Sequence, residues 1–333
     1  MLRLPKFKYL QPKNEREAVA MLAGEGPSAA LAAGGTDLFP KMKRRQMTPQ
    51  TIIGIRQLDN LHRIEGSPPQ GMVIGAGVTL VELERHPALN QAYPAVASAA
   101  RSISSPPIRN AGTLGGNLCV DTRCTYYDQT YEWRKSVDFC LKKDGGICWV
   151  APSSPRCWAI ASSDLAPVMI ALDARVKLLS SQGERMLRVA DLYANDGIEF
   201  LTKREDEMLI EVHLPAANGD RMVYKKLRRR GSIDFPILGV AVWIRPDVKD
   251  KAVVEEGRIS ITAVAPYPFE VTAAREILRG KRLNADCIEA AAEAAWKRAK
   301  PLDNTDLDMS WRKSMVRIFT RRALYECQLP TAE

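Results

Sequence analysis

Apolar positions along this chain first follow mixed strand and helix spacing, then alternation, then helix spacing again. Residues 4–55 read as β-α-β. A short strand at Phe7-Lys-Tyr9 precedes a helix through Met21 and Leu22, opened by Asn14 and Glu17 and closed by Gly24 and Gly26. The strand Leu31-Ala-Ala33 runs into Gly34-Gly-Thr-Asp37, a basic helix through Met42 follows, and Thr51-Ile-Ile-Gly-Ile55 is the next strand. Met72-Val-Ile-Gly-Ala-Gly-Val78 precedes a helix that Thr79 and Glu82 cap, and the Ala-rich residues 92–104 are helical. After a glycine-rich loop at 109–117 comes a stretch dense in cysteine and aromatics. The pattern resumes at Ser162-Ser-Asp-Leu-Ala-Pro167 and the apolar run Val168–Leu172. Residues 175–265 alternate with period two, at Arg175–Leu179, Met208–Leu214, Val240–Ile244 and Ile259–Val264, which predicts an antiparallel sheet. Trp311, Met315, Ile318 and Phe319 then recur at helical spacing. The fold class is α+β, with one half over 1–175 and a sheet-plus-helices half over 176–333.

Composition narrows the class. A chain of 333 residues with 46% hydrophobic and 26% charged residues is an ordinary globular sequence, long enough for two or three domains. No window approaches the roughly 18 unbroken apolar residues of a membrane helix. Met1-Leu-Arg-Leu-Pro-Lys-Phe-Lys8 has neither an apolar core nor a small-residue cleavage site, so a cytoplasmic location away from membranes is expected. The net charge of +9 includes clusters at Lys41–Arg45 and Lys225–Arg230. No nucleic-acid-binding motif accompanies them, so an acidic protein partner is expected rather than DNA or RNA.

Chemistry concentrates in the cysteines. Five of the seven lie between Cys119 and Cys157, spaced C-x4-C-x15-C-x7-C-x8-C. In a reducing compartment such a cluster points to metal or redox chemistry rather than disulfides. It contains no C-x2-C pair, so it is neither a zinc ribbon nor a bacterial ferredoxin run. Four of the five suffice for an iron–sulfur cluster or zinc; buried free thiols are the other reading. Cys287 and Cys327 read as small hydrophobes. Tyr126, Tyr127, Tyr131, Trp133, Phe139, Trp149 and Trp158 give the stretch its own core and a means of excluding water. Two loops, Gly34-Gly-Thr-Asp37 and Gly112-Thr-Leu-Gly-Gly-Asn117, let backbone amides approach an anion, although either alone also reads as a plain turn. Gly75-Ala-Gly77-Val-Thr-Leu80 lacks the third glycine of a dinucleotide fingerprint and reads as a strand end with a helix cap. His62, His86 and His213 form no metal or catalytic pattern. With no nucleophile elbow and no acid/base constellation, the chain reads as an electron carrier rather than the seat of substrate chemistry.

Together the motifs carry a resemblance. Ala33-Gly-Gly-Thr-Asp-Leu38, Ile74-Gly-Ala-Gly-Val-Thr-Leu80, Arg109-Asn-Ala-Gly-Thr-Leu-Gly-Gly-Asn-Leu118, Ser163-Asp-Leu-Ala-Pro167 and Tyr224-Lys-Lys-Leu-Arg228 resemble the FAD-binding medium subunits of the xanthine dehydrogenase and carbon monoxide dehydrogenase family of molybdenum hydroxylases. The likeness runs from about residue 4 to residue 325, through Ser310-Trp-Arg-Lys313 and Arg321-Arg-Ala-Leu324. It implies an FAD-binding domain of two α/β lobes over 1–175. Most members pass directly from the Gly-Gly-Asn loop to the Ser-Asp segment, whereas residues 119–158 intervene here. That insert resembles the one in the 4-hydroxybenzoyl-CoA reductase branch, which holds a [4Fe-4S] cluster. The resemblance assigns Cys124, Cys140, Cys148 and Cys157 as ligands and leaves Cys119 spare.

The resemblance further implies that Leu31, Ala32, Ala33, Gly34, Gly35, Thr36, Asp37 and Leu38 grip the FAD pyrophosphate from one side. Thr113, Leu114, Gly115, Gly116 and Asn117 would grip it from the other. Ile103 is expected against the flavin or adenine, Asp164 at ribityl or ribose hydroxyls, and Leu209 and Lys226 near the isoalloxazine, where a lysine would stabilise anionic reduced flavin. Arg123, Arg134, Lys135, Lys142, Lys143 and Arg156 would offset cluster charge or dock an electron donor. The implied partners are a large molybdopterin subunit and a small [2Fe-2S] subunit, in a heterohexamer with two copies of each. Electrons are expected to pass from ferredoxin through [4Fe-4S] and FAD to [2Fe-2S] and molybdenum, where 4-hydroxybenzoyl-CoA is dehydroxylated to benzoyl-CoA. An oxidative member acting on another aromatic or heterocyclic substrate is the alternative, and a zinc-stapled interaction module is a third reading from another class.

Overall fold

Three β-sheets organise the computed structural model, which describes residues 2–328. The first is parallel, with Thr51–Gly54 between Lys8–Leu10 and Ala29–Ala32. Thr51–Gly54 is buried at every position, as a central parallel strand must be. Parallel neighbours need a crossover: Leu38–Lys43 lies in the one between the paired strands Ala29–Ala32 and Thr51–Gly54, while the helix Glu15–Glu25 joins the two outer strands. The Asn14 side chain accepts the Glu17 N–H at its start, and Gly26, at φ +65°, ends it with an N–H to the Leu22 carbonyl. Gly24 lies inside the helix and does not terminate it.

The second sheet is antiparallel, in the order Ile64–Ser67, Gly71–Gly75, Met208–Leu214, Arg175–Ser180, Gly183–Arg188. Met72–Gly75 pair with Glu211–Leu214, so the strands after residue 175 belong to the same sheet as those before the cysteine insert. The half expected to begin at 176 therefore begins beyond this sheet, with the strand Arg221–Leu227. Alternation identified Arg175–Leu179 and Met208–Leu214 and missed Gly183–Arg188 and Ile64–Ser67; it carries no information about which strands pair.

The third sheet, Phe269–Glu270, Val254–Thr262, Leu238–Pro246, Arg221–Leu227, is antiparallel and covered on both faces. Leu238, Val240, Val242 and Ile244 face a core shared with the helices Ala273–Leu278, Ala285–Arg298 and Met309–Glu326. Ala241 and Trp243, on the alternate face, join the main core with the helices Pro94–Ser102 and Leu165–Ala171. Leu165–Ala171 is buried at every position, so this all-apolar helix sits between the halves. In the last helix the core face is Arg312, Val316, Thr320, Ala323 and Leu324, while Trp311 is exposed. The helical spacing of Trp311, Met315, Ile318 and Phe319 is borne out, with Met315 and Phe319 packing at the edge of that core, while buried Arg312 donates to the Leu302 and Ala263 carbonyls at 2.8 Å each. No helix among the described residues is long and apolar enough to cross a membrane.

Candidate functional site

The first glycine loop links the strand Ala29–Ala32 to the short helix Leu38–Lys43. Among the described residues the N–H groups of Gly34, Gly35, Thr36 and Asp37 donate to no protein acceptor. Gly35 has φ +67°, and a Cβ at Gly34 would stand 1.8 Å from the Ala111 carbonyl oxygen, so the loop presses directly on the second one. That second loop is sewn to the end of the Gly71–Gly75 strand by Leu114 N–H to Val78 O (2.9 Å) and Gly115 N–H to Ala76 O (2.8 Å). Thr113 caps the helix Leu114–Leu118 by accepting the Gly116 N–H at 3.1 Å, and its own N–H is unpartnered among the described residues. A Cβ at Gly116 would meet only Thr113 Oγ1, at 3.0 Å. Two touching loops thus present free backbone donors in one place, a nest suited to a polyanion. The side chains flanking them serve packing: Leu31 and Ala33 lean on the core under the Glu15–Glu25 helix, Leu38 packs with Met42, and Leu114 is fully buried. Asn117 Oδ1 accepts from Ser163 Oγ (2.8 Å) and the Leu165 N–H (3.1 Å), which ties the loop to the buried helix.

Asp164 and Lys226 meet in the protein interior. Lys226 Nζ lies 2.9 Å from Asp164 Oδ2 and 3.1 Å from the Ser102 carbonyl, and the Tyr224 hydroxyl donates to Asp164 Oδ1 at 2.6 Å. Arg228 also donates to the Ser102 carbonyl, at 2.8 Å. Burial pushes the Asp164 carboxyl up and the Lys226 ammonium down, while each partner opposes the other's shift. Ile103 follows Ser102 directly, and Leu209 lies in the same core. Tyr224 had no role in the sequence reading beyond its motif. The signal was present, since Tyr224 and Lys226 alternate on one face of the strand Arg221–Leu227 and Arg228 continues that spacing just past its end.

The insert carries one short helix, Tyr131–Ser136, and otherwise irregular chain. Cys124, Cys140, Cys148 and Cys157 are all buried and line a single cavity with Tyr126, Tyr127 and Trp149. Cys119 packs instead on the main core and donates its N–H to the Gly115 carbonyl. Burial and the other three cysteines push the Cys124 thiol up to about 12. Burial likewise raises Cys157 to about 11, with Lys142 pulling against it. Gly197 closes one side: its N–H reaches the Cys157 carbonyl at 2.9 Å, and a Cβ there would lie 2.6 Å from Cys157 Sγ. Among the described residues no three His, Cys, Asp or Glu side chains converge on one metal ion. Four soft sulfur donors lining one cavity with Tyr126, Tyr127 and Trp149 are the donor set that an iron–sulfur cluster would need.

The insert is clamped along the Leu38–Lys43 helix. Arg123 pairs with Asp37 of the first glycine loop at 2.6 Å and stacks on Phe235. Lys41 pairs with Asp121 at 2.6 Å, and Gln46 Nε2 donates to the Tyr127 carbonyl at 2.6 Å. Fully buried Arg134 donates to the Arg44 and Arg45 carbonyls, at 3.1 Å each. Lys142 pairs with Asp121 at 2.8 Å. Burial alone would raise the Asp121 carboxyl, but the two lysines hold it at about 2. Three of the six basic residues expected to offset cluster charge or dock a donor, Arg123, Arg134 and Lys142, are thus committed inside the protein. Arg156 lies over the Trp158 ring, Lys135 is exposed and Lys143 is partly so.

The sequence matches the FAD binding domain in molybdopterin dehydrogenase over residues 5–217 and the CO dehydrogenase flavoprotein C-terminal domain over 222–327. The chain therefore belongs to the FAD-binding medium subunits of the molybdenum hydroxylase and carbon monoxide dehydrogenase family. It is 30% identical over 323 residues to the carbon monoxide dehydrogenase medium chain of Hydrogenophaga pseudoflava, covering 96% of both chains. With the FAD-binding subunit of an aldehyde oxidoreductase from Escherichia coli it shares 32% identity over 297 residues, 86% of this chain and 90% of that one. A solved structure of the Hydrogenophaga pseudoflava carbon monoxide dehydrogenase, lacking the Mo-pyranopterin moiety of its cofactor, superposes with a TM-score of 0.80 at 28% identity, covering 98% of this chain and 99% of the other.

Proposed function

We propose that this subunit belongs to a reductive member of the family, 4-hydroxybenzoyl-CoA reductase, and holds a [4Fe-4S] cluster on Cys124, Cys140, Cys148 and Cys157 besides FAD on its glycine loops. The observation that carries the reading is the one buried cavity those four cysteines share, in an insert clamped to the helix that follows the first glycine loop. When bound, the two groups supply electron transfer from reduced ferredoxin toward a small [2Fe-2S] subunit and a large molybdopterin subunit, where two electrons and two protons release the 4-hydroxyl as water. The chain's residues hold and shield. The free N–H groups of residues 34–37 and 113 take the pyrophosphate, and Ile103, Asp164, Leu209 and Lys226 surround the flavin. The assembly is a heterohexamer with two copies of each subunit.

Cys140→Ser should remove most of the iron and acid-labile sulfide and leave FAD bound, whereas Cys119→Ser should keep all three. Equal iron loss in both variants, or an iron-free wild type, overturns the ligand assignment. The likeness to carbon monoxide dehydrogenase and aldehyde oxidoreductase subunits favours a second reading, an oxidative member that passes electrons outward. The complex purified with its partner subunits separates the two. Conversion of 4-hydroxybenzoyl-CoA to benzoyl-CoA under a reduced viologen dye supports the first; oxidation of an aldehyde or heterocycle without that conversion supports the second.

A further inference from the structure

Lys142 is the one charged side chain among the residues that line the four-cysteine cavity. Its side chain is only 6% exposed. The ammonium sits 2.8 Å from Asp121 Oδ1, 2.8 Å from Thr122 Oγ1 and 2.5 Å from the Gly197 carbonyl. Gly197 in turn abuts Cys157, so Lys142 is fixed against the wall that carries a sulfur. Asp121 does not neutralise it alone, because the other carboxylate oxygen is taken by Lys41 at 2.6 Å. Both ammonium groups also lie over the Tyr127 ring, Lys41 at 4.7 Å and Lys142 at 4.9 Å from its centre. The remaining carboxylates nearby, Asp37 and Asp128, face Arg123 rather than Lys142. The charges are thus ordered, with an ammonium on the cavity wall and the carboxylates behind it.

We propose that Lys142 tunes the four-cysteine centre, its fixed positive charge raising the reduction potential of the cluster held there. The assignment rests on the cluster reading above. Four thiolates make the centre anionic, and adding an electron increases that negative charge. In a buried, poorly screened site a nearby ammonium stabilises the reduced form more than the oxidised one, and the net charge around an iron–sulfur centre is one of the levers on its potential. A purely structural Lys142, one that only ties residues 121, 122 and 197 together, would leave the potential alone while the cluster stayed bound.

The test is an EPR-monitored redox titration of the assembled complex. Lys142→Met removes charge and hydrogen bonds; Lys142→Gln removes the charge and keeps an N–H donor for the same acceptors. Both should shift the cluster's midpoint potential to more negative values while the flavin couples stay in place. Lys143→Met, one residue away and partly in solvent, should not shift it. If Lys142→Met loses the cluster, Lys142→Gln decides: a wild-type potential there overturns the proposal, and so does an equal shift in Lys143→Met. A wild type without iron and sulfide overturns the cluster reading and this assignment with it. A cluster present at unchanged potential in Lys142→Gln overturns this assignment alone.

Discussion

A single methyl group separates two uses of glycine in the two facing loops. At Gly34 a Cβ would collide with the Ala111 carbonyl, so Gly34→Ala should disturb the packing of both loops and lower the melting temperature as well as flavin content. At Gly116 a Cβ meets only Thr113 Oγ1, a close 3.0 Å contact with one side-chain hydroxyl, so Gly116→Val should cost far less stability than Gly34→Ala and lose most bound FAD, measured by absorbance after desalting. Wild-type flavin in folded Gly116→Val would remove the loop from the site. The buried pair behaves differently again. With the side chains of Asp164 and Lys226 3% and 4% exposed, either Asp164→Asn or Lys226→Met leaves an unanswered interior charge, at a cost of about 3–5 kcal/mol. The double variant should recover much of that loss in a urea-unfolding cycle; strictly additive losses would mean that the two residues do not act as a pair. At this scale the glycine loops were legible because turn chemistry is local. The Asp164–Lys226 pair was not, because 62 positions separate its members and no spacing in the sequence encodes their meeting.

Among elements, the insert is the informative case. Its cysteines declared themselves by density, but its docking did not. A basic residue in a short polar segment reads the same whether it is solvated, like Lys135, or buried, like Arg134. The structure makes Arg134 the fastening of the insert's short helix to the end of Leu38–Lys43. Arg134→Met should lower the local opening free energy of residues 131–139 by about 2 kcal/mol, roughly 30-fold faster amide exchange, with FAD retained. Unchanged exchange would show that the insert is held elsewhere. The last helix carries the same lesson: its aromatic stripe was conspicuous, while Arg312, Val316 and Thr320, which face the core, were obscured by a charged residue at a buried position.

Across the whole molecule the two halves share one interior. The helix Leu165–Ala171 is covered on one side by the C-terminal sheet through Ala241 and Trp243, so the N-terminal half does not close its main core alone. Residues 1–218 expressed alone should aggregate, or bind an exposed-hydrophobe dye strongly, because that helix and Pro94–Ser102 lose their cover. A monomeric, cooperatively melting fragment would refute this. Hydrophobic periodicity gave a mixed α/β region, then strands, then helices, but strand pairing across the insert lies beyond any local pattern. The clamp between insert and helix also bears on modularity. Lys41 answers Asp121 from 80 positions away, Gln46 answers the Tyr127 carbonyl, and Arg134 needs the carbonyls of Arg44 and Arg45. Grafted alone into a relative without it, the insert would arrive with an interior carboxylate and guanidinium lacking their counterparts. The heritable part is the loop together with residues 38–46, and in descent the lysine at position 41 should travel with the four cysteines.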